Sequence, residues 1–284
     1  MEQKNQQIAE ELKMARELQM AMLPQEFPQF LNGGRLPGGS ALEFFSFYHP
    51  TGAVSGDFFN VTALSDTTVG VFICDVMGHD VRAALVTAML RALVEDISAK
   101  NAEPGQLLTE LNRALFKVFR QAGTTMFATG LYLVADVATG LLSYANAAHP
   151  HPLRLQRPGG TVEVLGHDTG TKKGAALGLF KDAIYPTCTR SLRLDDLLVL
   201  YTDGLIEEES PSGEIFSRER LSETISNLHA LPPKELLAKA LNEIRLFAGH
   251  QDLSDDICLL GIEITQLKPE AITQPVALPA AITQ

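Results

Sequence analysis

The chain has 284 residues, of which 45% are hydrophobic and 20% charged, and its formal net charge is -11. This length and apolar content can fill a sizeable core, so a globular enzyme is the first expectation. The acidic balance argues against binding to phosphate backbones or anionic lipid, because such surfaces need clustered Lys and Arg. We therefore expect neither nucleic acid nor a membrane as a partner.

Cysteine usage and the N-terminal sequence predict a soluble, cytoplasmic chain. Cys74, Cys188 and Cys258 are odd in number and lack paired spacing. Buried free thiols are therefore expected rather than disulfides or a zinc site. The stretch MEQKNQQIAEELK is polar, which indicates no signal peptide. No apolar run approaches the roughly 20 residues that span a bilayer.

Residues 1–24 have the spacing of an amphipathic helix that Pro24 ends. Gln19 interrupts its apolar seam, which consists of Ile8, Leu12, Ala15 and Met22. A second apolar edge consists of Met14, Leu18 and Ala21. Two interpretations stay open: a helix packed on its own domain, or a short two-chain coiled coil that makes a homodimer. The segment is predicted to be a regulatory or dimerisation helix.

Composition divides the rest of the chain into three parts. Residues 25–40 include the Gly/Pro stretch LNGGRLPGGS and are predicted to be a linker. Residues 41–265 carry the strand and helix patterns of one domain. Residues 266–284, in which AITQ occurs twice among Pro and Ala, have no pattern that could bury a face, so a mobile tail is expected.

The pattern of strands and helices predicts an α+β fold. MFATGLYLVADV and LLSYANAA are separated by the turn residues 138–140, which indicates a hairpin. Apolar residues at helical intervals occur in two pairs of segments. The first pair lies before residue 122, and the second consists of 218–229 and 233–249. Strands in hairpins with paired helices favour two packed antiparallel sheets flanked by helices.

Four acidic positions lie where apolar strand-like runs end. Asp57 begins DFFNV, Asp75 ends VGVFIC, Asp203 follows DLLVLY, and Asp255-Asp256 precedes ICLLGIEI. Carboxylate oxygens are the ligands that Mg²⁺ and Mn²⁺ prefer, and a set without His or Cys disfavours zinc. A capping role is the simpler interpretation for any single Asp. The four together favour a metal centre.

Six motifs, in order, make the chain resemble a known family. They are SGDFFN, DVMGHDVRAAL, YANAAHPHPL, ALGLF, LYTDGLIE and SDDICLL. They resemble the bacterial branch of the metal-dependent (2C-like) protein phosphatases, the stress and sporulation regulators of SpoIIE/RsbU type. The resemblance covers about residues 41–264, and ARELQMAMLP is similar to the regulatory helix that precedes this domain in the family.

This resemblance implies a four-layer αββα sandwich, two Mn²⁺ or Mg²⁺ ions and a metal-activated water that attacks phosphoserine or phosphothreonine. It implies five metal-binding positions, namely Asp57, Asp75 as the bridging ligand, Val76 through its carbonyl, Asp203 and Asp255. Asp256 is the alternative to Asp255. Phosphorylated anti-sigma-factor antagonists are the implied substrate class, which rests on analogy alone. An upstream activator acting on the N-terminal helix is a further expectation.

The sequence departs from the family pattern in three places. Asp80 stands where the family usually has Gly, and an added carboxylate could weaken phosphate approach or recruit another cation. The loop 166–174 is lengthened, and its Lys172 and Lys173 could meet an acidic substrate face, although a solvated loop is the simpler interpretation. No arginine near Asp57 matches the phosphate-binding one of the animal branch.

Asn146 and His149, in NAAHPHP, invite a catalytic interpretation, because an imidazole could protonate the leaving serine oxygen. A structural turn is favoured, since a metal pair already supplies the nucleophile. His79 is likewise expected to make a local contact.

Two alternative functions each fit part of the sequence. An aspartyl-phosphate phosphohydrolase needs an early Asp-x-Asp nucleophile, and none precedes the first helix of the domain. A pseudophosphatase that binds phosphoprotein without hydrolysing it stays open because of Asp80.

Overall fold

The computed structural model of the protein describes residues 2–30, 39–100, 102–166, 174–250 and 253–268. Its helices are α1 (Glu2–Met22), α2 (Val81–Lys100), α3 (Pro104–Ala122), α4 (Ser217–Asn227) and α5 (Pro233–Ala248). Its first five strands are β1 (Leu42–His49), β2 (Asp57–Ala63), β3 (Thr68–Val76), β4 (Ala128–Asp136) and β5 (Leu141–Ala147). The others are β6 (Leu153–Gln156), β7 (Thr161–Val164), β8 (Cys188–Ser191), β9 (Asp196–Tyr201) and β10 (Ile257–Ile264).

The strands form two five-stranded antiparallel sheets. One has the order β1-β10-β9-β6-β7 and the other β2-β3-β4-β5-β8. Helices α2 and α3 contact the second sheet, and α4 and α5 contact the first. The predicted α+β sandwich with paired outer helices is therefore confirmed. The predicted hairpin is also present, because β4 pairs with β5.

Apolar side chains form two clusters that hold the layers together. The larger one joins the two sheets and the α2–α3 layer through side chains such as Phe72, Leu108 and Leu260. The smaller one joins the first sheet to α4 and α5 through side chains such as Leu237 and Val199. Burial of this apolar surface is the main favourable contribution to folding.

Local sequence explains where the helix pair on the second sheet begins and ends. The side chain of Glu103 accepts hydrogen bonds from the amides of Gly105 and Gln106, and Pro104 occupies the first turn of α3. Both are favoured there, because the first helical amides have no partner within the helix. Gly123 ends α3 in the left-handed region, with φ of 64°.

Helix α1 packs through its second half against α2. Leu18 is 70% exposed, whereas Gln19, which the sequence pattern treats as an interruption of the apolar seam, is 3% exposed. This is a correction to the predicted seam. Gln19 is buried because its amide finds polar partners on the domain, which no apolar pattern can reveal. The second half of α1 therefore fits the interpretation of a helix packed on its own domain. Pairing of α1 with a second chain stays a prediction.

Other sequence-based expectations have mixed outcomes. Cys74 and Cys258 are buried free thiols, and Cys188 is likewise buried, as predicted. Among the described residues, no helix is both long and apolar enough to cross a membrane. Half of the predicted linker (31–38), the part of the lengthened loop with Lys172 and Lys173, and nearly all of the predicted tail (269–284) lie outside the described residues.

Candidate metal centre

Asp57 and Asp75 face each other across the β2–β3 pair. The antiparallel register places them directly opposite, at the first residue of β2 and next to the last of β3. Opposed residues in such a pair have Cβ atoms about 4.5–5.5 Å apart, and like charges there repel each other. The register alone therefore brings two predicted ligands together in a way that favours a bound cation.

The loop before β2 presses its backbone against the end of β3. The amide of Val76 donates to the carbonyl of Gly56 (3.0 Å). A Cβ atom on Gly56 would lie 2.4 Å from the Val76 oxygen, 2.7 Å from the Gly78 oxygen and 3.2 Å from Asp75 Oδ1. Only glycine fits this approach. The result is a cradle of carbonyl and carboxylate oxygens beside Asp57.

The other two predicted ligands follow strands of the first sheet. A 3₁₀ turn, Asp203–Leu205, begins just after β9, and Asp255 lies just before β10. The two segments touch, because a Cβ atom on Gly204 would lie 2.1 Å from the Asp256 carbonyl oxygen and 3.4 Å from Asp255 Cβ. The antiparallel β9–β10 pairing brings the end of one strand beside the start of the other.

Thr202 connects the two sheets at this edge. Its hydroxyl donates to Asp57 Oδ2 (2.6 Å) and accepts from the amide of Cys258 (3.0 Å). Thr202 and Asp57 are both buried. A hydrogen bond to a buried carboxylate is short and strong, so it orients Asp57 and fixes the distance between the sheets.

The electrostatics show that the four aspartates act on one another. Burial, followed by the charge of Asp75, raises the pKa of Asp57 well above its usual range, against the Thr202 hydrogen bond. Burial, followed by Asp203 and Asp255, raises the pKa of Asp75 to about 7. The pKa of Asp203 is raised by burial, then by Glu207 and Asp255. A bound cation would relieve this repulsion.

Asp256 differs from Asp255 in that both of its oxygens are already occupied. Oδ1 accepts from the amide (2.7 Å) and hydroxyl (2.9 Å) of Thr51, and Oδ2 accepts from the amide of Gly56 (3.2 Å). Asp255 is exposed, and its carboxylate accepts from the amide of Asp256 (2.7 Å). Asp256 therefore holds the loop before β2 in place, whereas Asp255 keeps free acceptor capacity facing the edge.

These residues fit divalent cations by the chemistry of their donors. All of the candidate donors are oxygens, three of the carboxyl groups have raised pKa values, and the Gly56 cradle exposes the Val76 carbonyl. Hard cations such as Mg²⁺ and Mn²⁺ prefer such donors. Among the described residues, no three His, Cys, Asp or Glu side chains are grouped closely enough to form a ligand set as they stand.

Asp80 caps the helix that starts beside the edge. Its Oδ1 accepts from the amides of Arg82 (2.9 Å) and Ala83 (3.2 Å), and its Oδ2 pairs with the Arg82 guanidinium (2.7 Å). The hydrogen bond from Arg82 lowers the pKa of Asp80. The added carboxylate is thus engaged at the N-terminus of α2. His79 is exposed at this turn.

Asn146 and His149 form the structural turn that the sequence favours. Asn146 Oδ1 accepts from the amide of His149 (2.8 Å), and Nδ2 donates to its carbonyl (3.0 Å). Ala148 between them has φ of 59°. His149 Nδ1 lies 2.8 Å from Thr129 Oγ1, and burial lowers the pKa of His149 to about 3. The ring is therefore neutral near pH 7 and is a poor proton donor there.

A cleft beside Asp203 contains two charged residues that the sequence interpretation missed. It is lined by Thr129, His149, His151, Tyr201, Glu207 and Arg218, among others. Glu207 lies four residues after Asp203, and its amide donates a hydrogen bond to the Asp203 carbonyl (2.9 Å). Residues at this spacing are neighbours on a helical turn, so the sequence alone could have placed Glu207 beside Asp203. Arg218 pairs with its neighbour Glu219 (2.8 Å), and only the fold brings it to this cleft.

The buried amide of Gln19 connects α1 to the metal edge. Its Oε1 accepts from the amide of Ser55 (2.9 Å), and its Nε2 donates to the carbonyl of Ser55 (2.7 Å) and to Thr87 Oγ1 (3.3 Å). Ser55 Oγ in turn accepts from the amide of Asp57 (3.0 Å). One side chain of α1 thus contacts both α2 and the loop that positions Asp57. We call these contacts the Gln19 clamp.

Comparisons with known proteins agree with this geometry. The family model described as "Stage II sporulation protein E (SpoIIE)" matches residues 65–265, a range that includes Asp75, Asp203 and Asp255 but not Asp57. The chain is 28% identical to phosphoserine phosphatase RsbP of Bacillus subtilis (strain 168) over 77% of its length. It is 25% identical to phosphoserine phosphatase RsbU of the same organism over 90% of its length. The matches cover 51% of RsbP and 70% of RsbU, so the chain spans about half the length of the first relative.

Solved structures share the fold at low identity. The SiaA-PP2C domain of Pseudomonas aeruginosa superposes with a TM-score of 0.76 at 20% identity, covering 93% of this chain and 99% of that one. RsbX, solved in complex with magnesium, has a TM-score of 0.57 at 15% identity, covering 79% of this chain and 96% of that one. The family match, the two relatives and the sandwich agree: this chain belongs to the SpoIIE family of PP2C-type protein serine/threonine phosphatases.

Proposed function

We propose that this chain is an active metal-dependent protein serine/threonine phosphatase. The observation that carries the proposal is that Asp57, Asp75, Asp203 and Asp255 lie along one edge of the sandwich, where burial, followed by the charges of neighbouring carboxylates, raises three of their pKa values. Such an edge is stabilised by cations and has the donor chemistry of a Mg²⁺ or Mn²⁺ site.

Each residue has a proposed role at the edge. Asp57, Asp75, Asp203 and Asp255 would hold two Mn²⁺ or Mg²⁺ ions, and the Val76 carbonyl beside Gly56 would be a further ligand. When bound, the ions supply an activated water and charge stabilisation for direct attack on the phosphorus. The chain's own part is to orient Asp57 through the hydrogen bond from Thr202. Solved RsbX contains magnesium, which supports this choice of metal.

The proposed substrate is a phosphoserine or phosphothreonine protein of the anti-sigma-factor antagonist type. The relatives RsbP and RsbU are named phosphoserine phosphatases, which supports the phosphorylated residue. The alternative of a pseudophosphatase depended on Asp80, and Asp80 is engaged with the start of α2 and Arg82.

Metal-dependent phosphate release is the direct test. The chelator-treated chain should release phosphate from a phosphoserine protein only when Mn²⁺ is added, and Asp75→Asn should abolish the release. Asp96→Asn is the matched control, because Asp96 is an exposed helix residue paired with Lys100 (2.6 Å). Wild-type protein that is folded, binds Mn²⁺ and still releases no phosphate would contradict the proposed activity.

We also propose that α1 regulates the site, either by homodimerisation or by binding an upstream activator. The Gln19 clamp supports this, because it joins α1 to the loop before Asp57. The outward face of α1 leaves Met14 and Leu18 exposed for a second contact. Cytoplasmic location stays a prediction.

Deletion of residues 1–24 tests this regulation. The deletion should change both the oligomeric state, measured by sedimentation, and the Mn²⁺-dependent rate. Gln19→Met should change the rate, because the amide is lost while the side-chain length is kept. Gln7→Met is its control, since the side-chain amide of Gln7 donates to Glu11 on the exposed face of α1, away from the Gln19 clamp. An unchanged state and rate in the deletion variant would refute the regulatory role.

A further inference from the structure

A groove on the outer face of α3 concentrates positive charge in an otherwise acidic chain. Arg113, Lys117 and Arg120 line it from the helix, and Lys181 lines it from the segment before β8. Asp182 is the one carboxylate in this lining, so four cations face a single acid where the whole chain has a net charge of -11. All five side chains are exposed. This charge asymmetry distinguishes the groove from the metal edge.

The four cations are available for a partner. At steps of four and three residues, Arg113, Lys117 and Arg120 project from one face of α3. Across the described ranges, none of them forms an ion pair within 4.0 Å, whereas Arg154 and Arg157 both pair with glutamates. Glu110 borders the Arg113 end, beside a neighbouring hollow.

An apolar ridge, formed by Leu179 and Phe180, directly precedes Lys181 of the groove in the chain. It comes from ALGLF, a motif that the metal centre does not use. Phe180 is 59% exposed and Leu179 is 38% exposed. Leu179 and Met126 line a second hollow that shares Arg120 with the first. Exposed aromatic and aliphatic side chains beside unpaired cations are typical of protein-binding surfaces.

The ridge is rigidly held against α3. The buried side chain of Asn112 accepts from the amide of Gly178 (2.8 Å) and donates to the carbonyl of Phe180 (2.8 Å). Gly178 has φ of 82°, and a Cβ atom there would lie 2.6 Å from the Phe119 ring. Phe180 is therefore presented by a fixed backbone, which lowers the entropy lost when a partner binds.

The segment that carries Leu179 and Phe180 is connected through the backbone to the metal edge. Leu177 and Ala128 exchange two backbone hydrogen bonds (2.8 and 3.1 Å), and Ala128 pairs with Val76 across β3 and β4. From Gly123 back to Arg113, α3 rises about 15 Å at 1.5 Å per residue. A small phosphoester at the metal edge cannot reach that far, but a protein substrate can.

We propose that this α3 strip, defined by Arg113, Lys117, Arg120, Leu179, Phe180 and Lys181, docks an acidic surface of the phosphoprotein substrate. Carboxylates of the substrate pair with the cations, and an apolar side chain packs on Phe180. The inference rests on the proposed phosphatase activity. A protein is favoured over anionic lipid because the ridge is short and fixed, and because the chain's net negative charge opposes a lipid surface.

The test compares a large acidic substrate with a small one. Lys117→Gln/Arg120→Gln is assayed with Mn²⁺ on phosphorylated β-casein, an acidic phosphoprotein, and on p-nitrophenyl phosphate. We expect KM for casein to rise about fivefold or more with kcat little changed, and the small-substrate kinetics to stay the same. The difference should shrink in 0.5 M NaCl, because salt screens exposed charges. Phe180→Ala should raise KM for casein in the same selective way.

Lys234→Gln/Lys239→Gln is the matched control. It removes two exposed cations from α5, which packs on the other sheet, and should leave KM for casein unchanged. Equal effects of the α3 variant on both substrates, or none on casein, would overturn the docking strip. So would loss of binding to phosphatidylserine vesicles without a change for casein.

A binding measurement separates this inference from the proposed activity. If the wild-type chain hydrolyses neither substrate with Mn²⁺, the proposed function fails. Casein binding to the Asp75→Asn chain, measured by biolayer interferometry, then decides the docking strip alone. Weaker binding on adding Lys117→Gln/Arg120→Gln supports it, and unchanged binding refutes it.

Discussion

Asp57 and Asp255 lie at the same metal edge but differ in burial and in how firmly their carboxylates are held. Asp57 is 2% exposed, opposes Asp75 across a strand pair and is held by the Thr202 hydroxyl. Asp255 is exposed, and its carboxylate accepts from the next amide in the chain. The buried Asp57 is held in one orientation beside a like charge, Asp75, whereas the exposed side chain of Asp255 can change its orientation.

This difference indicates that the buried and the exposed ligands contribute differently to metal binding and to folding stability. Burial and the opposed carboxylate make the Asp57–Asp75 pair unfavourable when both are ionised, so cation binding and folding stability are coupled there. Asp255 is exposed, so solvent screens its charge more strongly than that of the buried pair. Variants of the buried and of the exposed residues should therefore differ in how activity and stability respond.

The largest expected effect is that of Asp57→Asn. The amide keeps the shape but loses the charge, so Mn²⁺-dependent phosphate release should fall about 100-fold or more. Without metal, removal of the buried like charge should stabilise the chain by about 1 kcal/mol, or roughly 2–4 °C in Tm. Calorimetry in chelator and a phosphate-release assay measure both. A lower metal-free Tm would show that the pair is not under charge strain.

The next comparison is between Asp255→Ala and Asp256→Ala. Asp255→Ala should weaken Mn²⁺ binding about tenfold or more, with little change in metal-free Tm. Asp256→Ala leaves the Gly56 amide and Thr51 without their acceptor. It should therefore lower stability by about 2–3 kcal/mol. Mn²⁺ titration calorimetry and thermal unfolding separate the two. The reverse pattern would assign the fourth ligand to Asp256.

The pH dependence of stability tests whether the pKa of the buried Asp75 is raised. The pKa of Asp75 is raised from 3.8 to about 7, so between those values the folded chain retains a proton that the unfolded chain releases. Its contribution to the free energy of unfolding is therefore present at low pH and lost as pH rises through about 7. In chelator, the Tm of Asp75→Asn relative to wild type should increase between pH 5 and 8. A constant difference would contradict the raised pKa.

The smallest effect is expected at Asp80, which borders the edge without belonging to it. Asp80→Ala removes the cap of α2 and the pair with Arg82, so Tm should fall slightly. Phosphate release should stay within about threefold of wild type, because the carboxylate is engaged outside the proposed ligand set. Asp80→Asn, which can still cap, is the control. A large gain in activity for both variants would show that the charge at Asp80 opposes the phosphate.

Local patterns in the sequence determined the elements and the candidate ligands. Strand alternation, the Pro104 start of α3 and the turn before β5 act over a few residues, so the antiparallel sandwich could be predicted. The aspartates could be identified because each lies at a strand end within a motif. Glu207 was also within reach, since its spacing from Asp203 is local.

Only the tertiary structure decided which polar groups meet. Asp256 and Thr51 are 205 positions apart, and Thr202 and Asp57 are 145 apart, so their contacts depend on how the two sheets pack. The burial of Gln19 was likewise hidden, because a polar residue in an apolar seam is identified as buried only when its partners are known. Hydrophobic periodicity reports which face is covered, but it carries no information on the distant hydrogen-bond partners that orient a site.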